Sequence, residues 1–340
     1  MRSGMDVRIG VIGTGVMGAD HVRTLATSVR RAEVVAVSDL DQERARAAVA
    51  GLGDIRIVEK PTDLVAAEDV DAVVVASHDD THEELVLACL DAGKPVLCEK
   101  PLTPTSDGSL RIVSAERDLG RRLVSVGFMR RYDPGYVAVK DALRQGTVDA
   151  PLMLHCVHRN AEARPNLPSS ALIAGSAIHE IDVARWLFEE EITRVTVHRP
   201  RRSGRVVGET SDPLLLVMET TSGVLVDVEV FVNAQYGYDV RAELVGETGT
   251  LSVDDPAAVV LRTTRSRSTA VVQDWRDRFA DAYRLELQDW VAGVAVGQQR
   301  GATAWDGYAA TAVAEAGIRA LETGSPSTVH LEPRPSLYHD

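Results

Sequence analysis

One hexapeptide constrains this chain more than any other feature. Gly13-Thr-Gly-Val-Met-Gly18 follows a β-branched run, Val7-Arg-Ile-Gly-Val-Ile12, and opens an amphipathic stretch from Val16 to Ser28. Three glycines at this spacing, set between a buried strand and a helix, form a phosphate-cradling turn. Gly13 permits the tight turn, Gly15 lets backbone approach a pyrophosphate, and Gly18 lets the helix pack on the sheet. Val16 and Met17 then stand at the helix N-terminus, where unpaired N–H groups and a partial positive charge suit phosphate. Chance glycines in a turn would lack the strand before and the helix after.

The next strand, Glu33-Val-Val-Ala-Val-Ser38, ends at Asp39, roughly twenty residues after the last glycine. A carboxylate there accepts hydrogen bonds from adenosine ribose hydroxyls and repels a 2′-phosphate. Leu40, Asp41 and Gln42 follow and offer no cation, so NAD is favoured over NADP.

Short apolar runs alternate with helical patterns through the first third. Further strands are expected at 55–58, 71–76, 95–98 and 122–126, with helices at 42–50, 81–92 and 106–119. That alternation implies right-handed βαβ units and a doubly wound parallel sheet, an α/β Rossmann domain over residues 1–127. Residues 128–340 read as an α+β domain with a large, mostly antiparallel open sheet. Its expected strands are 152–158, 195–198, 214–219, 224–230, 240–245 and Ala258–Leu261; its helices are 136–145, 178–188, 275–296 and 307–323. The last helix is a candidate to pack back on the first domain.

Charge and composition exclude several classes. The formal net charge is −13, which disfavours nucleic acid as a partner. No apolar run approaches the ~20 residues of a membrane helix, and no secretory pattern precedes the first strand. Cys89, Cys98 and Cys156 show no zinc spacing, so no metal is expected and reduced cysteines in a cytoplasmic protein are.

Two motifs carry chemistry. Cys98-Glu-Lys-Pro101 lies at the carboxyl end of the fifth strand, the sheet edge that faces the ligand crevice. Lys100 is either a surface lysine in a turn or a group that stabilises a developing alkoxide. Pro101 biases its backbone toward extended, and a cis bond there is allowed. Ile178-His-Glu-Ile-Asp-Val-Ala-Arg-Trp-Leu187 places His179 on one helical face with Val183, Trp186 and Leu187. That histidine is either a satisfied core residue or a general base suited to neutral pH.

With Glu99-Lys-Pro101 and His179 joined to the glycine turn, the sequence resembles the Gfo/Idh/MocA oxidoreductases, most closely their bacterial inositol 2-dehydrogenases. Gly127-Phe-Met-Arg-Arg-Tyr-Asp-Pro-Gly-Tyr136, His158-Arg-Asn160, Tyr236-Gly-Tyr-Asp239 and Ala304-Trp-Asp-Gly-Tyr308 extend the resemblance over nearly the whole chain. It implies NAD-linked oxidation of a ring hydroxyl on an inositol-like polyol. Lys100 would polarise the oxygen and His179 would be the base, both touching substrate. Arg130, His158, Asn160, Gly175 and Tyr238 would line the substrate, which would lie between nicotinamide and the second sheet. Arg130 paired with Asp133, His158 facing out of its strand and Tyr238 as a packing residue are the bland alternatives. Ser77, His78, His82, Glu99 and Lys100 would join the glycine turn and Asp39 around the cofactor. The second sheet would form the interface of a homotetramer or dimer. Aminocyclitols, free sugars and glycosides are alternative substrates, and a non-catalytic dinucleotide-binding sensor is the alternative outside enzymes.

The sequence departs from the family pattern at one point. A carboxylate normally stands four residues before the histidine, where this chain has Gly175. A bulkier substrate, a substitute role for Ser176 or Asp182, or weak catalysis would each account for it, and a changed substrate is the preferred reading.

Overall fold

Val7–Ile12 is apolar at nearly every position because both of its faces are covered, and it becomes the central strand β1 of the first sheet. The computed structural model describes residues 6–254 and 259–339. Parallel to β1 run β2 (Ala32–Ser38), β3 (Arg56–Ile57), β4 (Ala72–Val75), β5 (Val96–Glu99) and β6 (Val124–Gly127). The strand order is β3-β2-β1-β4-β5-β6, and a short antiparallel β15 (Ala302–Thr303) closes the β6 edge. Helices α1 (Val16–Ser28), α2 (Gln42–Val49), α3 (Pro61–Ala66), α4 (His82–Asp91) and α5 (Ser106–Leu119) make the crossovers. The order reverses on either side of β1, so the loops leaving β1 and β4 face one crevice at the carboxyl edge.

The second sheet has the order β12-β11-β7-β10-β9-β8-β16. Its strands are β7 (Pro151–Arg159), β8 (Ile192–His198), β9 (Leu214–Thr220), β10 (Leu225–Phe231), β11 (Asp239–Gly246), β12 (Thr250–Val253) and β16 (Ser327–Thr328). All neighbours are antiparallel except β7 and β10. Along β7, Leu154, Cys156 and His158 are buried while Met153, His155, Val157 and Arg159 are half-buried. The period of two leaves one face covered and one open. Helix α6 (Pro134–Arg144), a short α7 (Ser169–Ala171), a π-helical segment Leu172–Ala177 and α8 (Ile178–Phe188) accompany this sheet.

The chain forms two units, and they are not divided at one point. The first comprises residues 1–129, 283–311 and 332–340; the second comprises 130–282 and 312–331. The sequence reading assigned all of 128–340 to the second domain. The chain returns to the first because helix α9 (Trp275–Val294) carries Leu287, Trp290 and Val291 into the core of Val7, Ile9, Val22 and Leu25. Near the end, Tyr338 is fully buried and donates its hydroxyl to Glu116 Oε2 at 2.7 Å. Glu116 Oε1 also accepts the backbone N–H groups of Leu123 and Val124. Helix α10 (Ala304–Thr323) crosses from the first unit to the second.

One expected element differs, and one observed element was not expected. Of the strand expected at Ala258–Leu261, Ala258 lies outside the described residues, and Val259 and Val260 are not in a strand. Among the described residues, Leu261–Thr263 (β13) pairs only with Ser266–Ser268 (β14) in a hairpin of exposed residues. The apolar run there is not a buried one: Val259 is 89 % exposed. The π-helical turn before α8 carries no signal in hydrophobic period.

Candidate active site

The glycine turn is a fitted cradle. Gly13 has φ +85°, and a Cβ on it would lie 2.4 Å from Ser77 N. A Cβ on Gly18 would lie 1.8 Å from Gly13 O, so turn and helix touch through backbone alone. Gly15 has nothing within 4 Å of a Cβ position, which leaves open space in front of the turn. It also N-caps α1 without a side-chain hydrogen bond, so the first N–H groups of the helix face that space. Val16 is exposed and Met17 half-buried beside it. The residues present therefore fit a dinucleotide pyrophosphate.

Asp39 closes the cradle from β2. Its Oδ2 accepts Thr14 N at 2.7 Å and Thr14 Oγ1 at 2.9 Å; its Oδ1 accepts Asp41 N at 2.8 Å. Burial would raise its pKa, but the bonds from Asp41 and Thr14 overcome this and hold it below the usual carboxylate range. Oδ2 has both lone pairs taken by Thr14, and Oδ1 keeps one for a ribose hydroxyl. The sequence reading found no cation here. The structure brings one: Arg44 Nη1 is 3.9 Å from Asp39 Oδ2, one turn into α2, where a scan of the three residues after Asp39 does not reach.

Beyond β4, Ser77 Oγ is 2.6 Å from Thr81 Oγ1, and His78 is exposed. His82 was expected to touch cofactor. Its side chain has no exposed surface, with Nδ1 2.9 Å from Pro101 O and Nε2 3.2 Å from Ser77 O. It joins two loops and shapes the site from behind. Glu99 is similarly committed: Oε1 is 2.7 Å from His21 Nε2, and Oε2 accepts Lys100 N at 3.2 Å. Lys100 follows, half-buried, with a cis bond to Pro101.

The second unit gathers a polar cluster. His158 lies in β7 opposite Val230 of β10 and Val240 of β11. Its ring centroid is 6.3 Å from that of His179 on α8 and 6.1 Å from that of Tyr238, which precedes β11. Burial pushes the Tyr238 hydroxyl pKa up to about 12. Asn160 follows β7; its N–H donates to Phe231 O at 3.0 Å and its backbone O accepts Ala234 N at 2.9 Å. Its side-chain Oδ1 is buried with no protein donor, an acceptor left unsatisfied within the protein.

Arg130 corrects the expectation of a substrate contact. It has 0 % exposure, is ion-paired with Glu180, and lies 3.2 Å through Nη2 from His158 Nδ1. Nor does it pair with Asp133, which caps α6 and binds Arg278 Nη1 at 2.8 Å. Asp182 cannot replace a missing carboxylate near His179, because Arg131 holds it at 3.0 and 2.6 Å. Gly175 is exposed in the π-helical segment, and nothing lies within 4 Å of its Cβ position. No group of metal-ligand type is present among the described residues.

The family model described as "Oxidoreductase family, NAD-binding Rossmann fold" matches residues 7–128, and "Oxidoreductase family, C-terminal alpha/beta domain" matches residues 140–331. The chain belongs to the Gfo/Idh/MocA oxidoreductase family. Within this family, it is 57 % identical over 335 residues to "Inositol 2-dehydrogenase 1" of Saccharopolyspora erythraea, covering 98 % of this chain and 99 % of that one. It is 47 % identical over 335 residues to "Inositol 2-dehydrogenase" of Klebsiella pneumoniae, with the same two coverages. Among solved family structures, myo-inositol dehydrogenase from Lactobacillus casei in complex with NAD(H) and myo-inositol is similar at a TM-score of 0.95 and 38 % identity, covering 98 % of this chain and 100 % of that one. This oxidoreductase uses NAD.

Proposed function

We propose that this oxidoreductase is an NAD-dependent inositol 2-dehydrogenase that converts a ring secondary alcohol of a cyclitol to the ketone. The observation that carries the reading is the 57 % identity, over nearly the full length of both chains, to a protein named for that activity. The polar cluster of the second unit suits a ring rich in hydroxyls, and the glycine turn with Asp39 suits NAD.

NAD⁺, when bound, supplies the hydride acceptor. Lys100 donates a hydrogen bond to the reacting oxygen and stabilises negative charge as the hydroxyl proton leaves. His179 takes that proton as general base. His158, Asn160 and Tyr238 orient the ring through its other hydroxyls, with Asn160 Oδ1 accepting from one of them. Arg130 acts on the site through Glu180 and His158.

The open face of the second sheet supports a homo-oligomer formed through that face, a dimer or tetramer. Leu215, Val217 and Phe231 lie half-buried there beside Met153 and Val157. No helix among the described residues is long and apolar enough to cross a membrane, in keeping with a cytoplasmic site of action. Light scattering on the purified protein measures the assembly.

A second reading concerns the ring. Gly175 leaves open the space that a side chain would fill, which favours a cyclitol bearing a bulky neutral substituent. A panel of inositol isomers, O-substituted inositols and free sugars, read by appearance of reduced cofactor, tests both. Turnover of inositols supports the first reading, and preference for substituted rings supports the second. Tight NAD binding with no turnover of any polyol would make the protein a sensor.

A further inference from the structure

Glu180 follows the expected base directly in sequence, yet it faces elsewhere. It is 1 % exposed, and Oε1 and Oε2 both lie 3.1 Å from His158 Nδ1. Arg130 donates from Nη1 to Oε1, and its Nη2 stands 3.2 Å from the same Nδ1. Two incompatible partners thus surround one ring nitrogen. Arginine only donates, so it calls for an Nδ1 lone pair. An ionised carboxylate only accepts, so it calls for an Nδ1 proton.

Counting buried donors and acceptors decides between them. Burial would raise the Glu180 pKa, but the guanidinium of Arg130 against it outweighs this, so the carboxylate is charged. Without an Nδ1 proton, Oε2 would be a buried charged acceptor with no donor, the costly case. Arg130 loses less. It already pairs with Glu180 and has the Phe279 ring 5.5 Å away, and its Nε lacks a partner whichever nitrogen of His158 carries the proton. The proton therefore belongs on Nδ1, and a neutral imidazole then carries its lone pair on Nε2.

We propose that Glu180, held by Arg130, is a positioning residue that fixes the tautomer of His158, making His158 Nε2 a hydrogen-bond acceptor for one ring hydroxyl of the substrate. The identity of that ring rests on the inositol reading above; the tautomer does not. With Asn160 Oδ1 as a second acceptor, this wall selects rings whose hydroxyls are free to donate. A ring blocked by alkylation at the facing position loses the His158 contact.

Glu180→Gln reverses the arrangement without changing its size. Arg130 can only donate and claims the amide oxygen. The NH2 then turns to Nδ1, which must accept, and the His158 proton moves to Nε2. Proton–nitrogen correlation spectra of protein labelled at histidine nitrogens read the tautomer directly, with the His158 signals assigned by their loss in His158→Gln. The expected result is an Nδ1–H, Nε2-bare ring in the native protein and the opposite tautomer in Glu180→Gln. The variant raises KM for inositol by roughly tenfold or more and lowers kcat less than about threefold, with KM for NAD unchanged. Glu180→Asp, which keeps the charge, restores the native tautomer and at least part of the KM.

A native His158 protonated at Nε2, alone or with Nδ1, overturns the proposal. So does a folded Glu180→Gln with unchanged tautomer and KM. The native spectrum decides even if the variant does not fold. If no inositol is turned over at all, the functional reading fails while the spectrum still settles the tautomer.

Discussion

His21 Nε2 lies 2.7 Å from Glu99 Oε1, and both residues are buried in the first unit. The pair joins α1, the helix that opens at the glycine turn, to the end of β5, one residue before Lys100. Glu99 uses its second oxygen on the Lys100 amide, so the pair couples the helix after the glycine turn to the backbone of the proposed catalytic lysine.

Breaking the pair leaves a buried carboxylate without its partner. His21→Ala is expected to cost about 3 kcal/mol in urea unfolding at neutral pH. Burial would raise the Glu99 pKa, but the bond and charge of His21 hold it below its ordinary 4.5. A depressed carboxylate pKa contributes stability above the unfolded-state value and loses it as pH falls through the folded value. The gap between native protein and variant is therefore full at neutral pH and closes in acid, below about pH 4.

Lys100→Ala is expected to lower kcat by roughly two decades or more, the scale of removing one donor to a developing oxyanion. Affinity for NAD, measured by fluorescence titration, changes little. Unchanged turnover removes Lys100 from the mechanism.

Asp39→Ala deletes the acceptor of Thr14 and the proposed acceptor of the ribose, so Kd for NAD is expected to rise roughly tenfold or more. It also removes one of the two carboxylates beside Arg44, the one at 3.9 Å, and leaves Asp41 at 3.4 Å. An arginine there pairs with a 2′-phosphate, so the variant gains activity with NADP. Asp39→Ala combined with Arg44→Ala loses that gain. Equal NADP activity in both variants excludes Arg44 as its source.

Gly175→Asp adds a side chain where no atom lies within 4 Å, so thermal unfolding is expected near that of the native protein. The new carboxylate stands one turn before His179 and favours its charged form. The acidic limb of the kcat pH profile then moves upward. kcat/KM rises for unsubstituted inositol and falls for rings substituted at the facing position. The same response on both kinds of ring rejects Gly175 as the source of selectivity.

The first unit was legible because its signals are local. A glycine turn between a strand and a helix, an acid at the end of β2 and a lysine at the end of β5 each report their own surroundings. His179 was legible as one half of an alternative, from the apolar neighbours on its helical face. Contacts between distant segments were not. Nothing near Arg130 in sequence announces Glu180, and their pairing follows from the packing of α8 against residues that precede α6. Asp133, close in sequence, was only the alternative partner for Arg130, and it caps α6 and binds Arg278 instead. His82 and Glu99 sit at crevice positions, but their side chains turn inward, a direction set by the loops they tie together.

The burial of Tyr338 against Glu116 has a consequence for the protein's synthesis. Glu116, Leu123 and Val124 leave the ribosome long before residue 338, and until then the carboxylate lacks the hydroxyl that later seals it. Leu287, Trp290 and Val291 are equally late. A nascent chain of the first 129 residues thus holds the whole glycine turn but an unfinished core. Packing of that core is complete only once residues 287–291 and 338 have joined it.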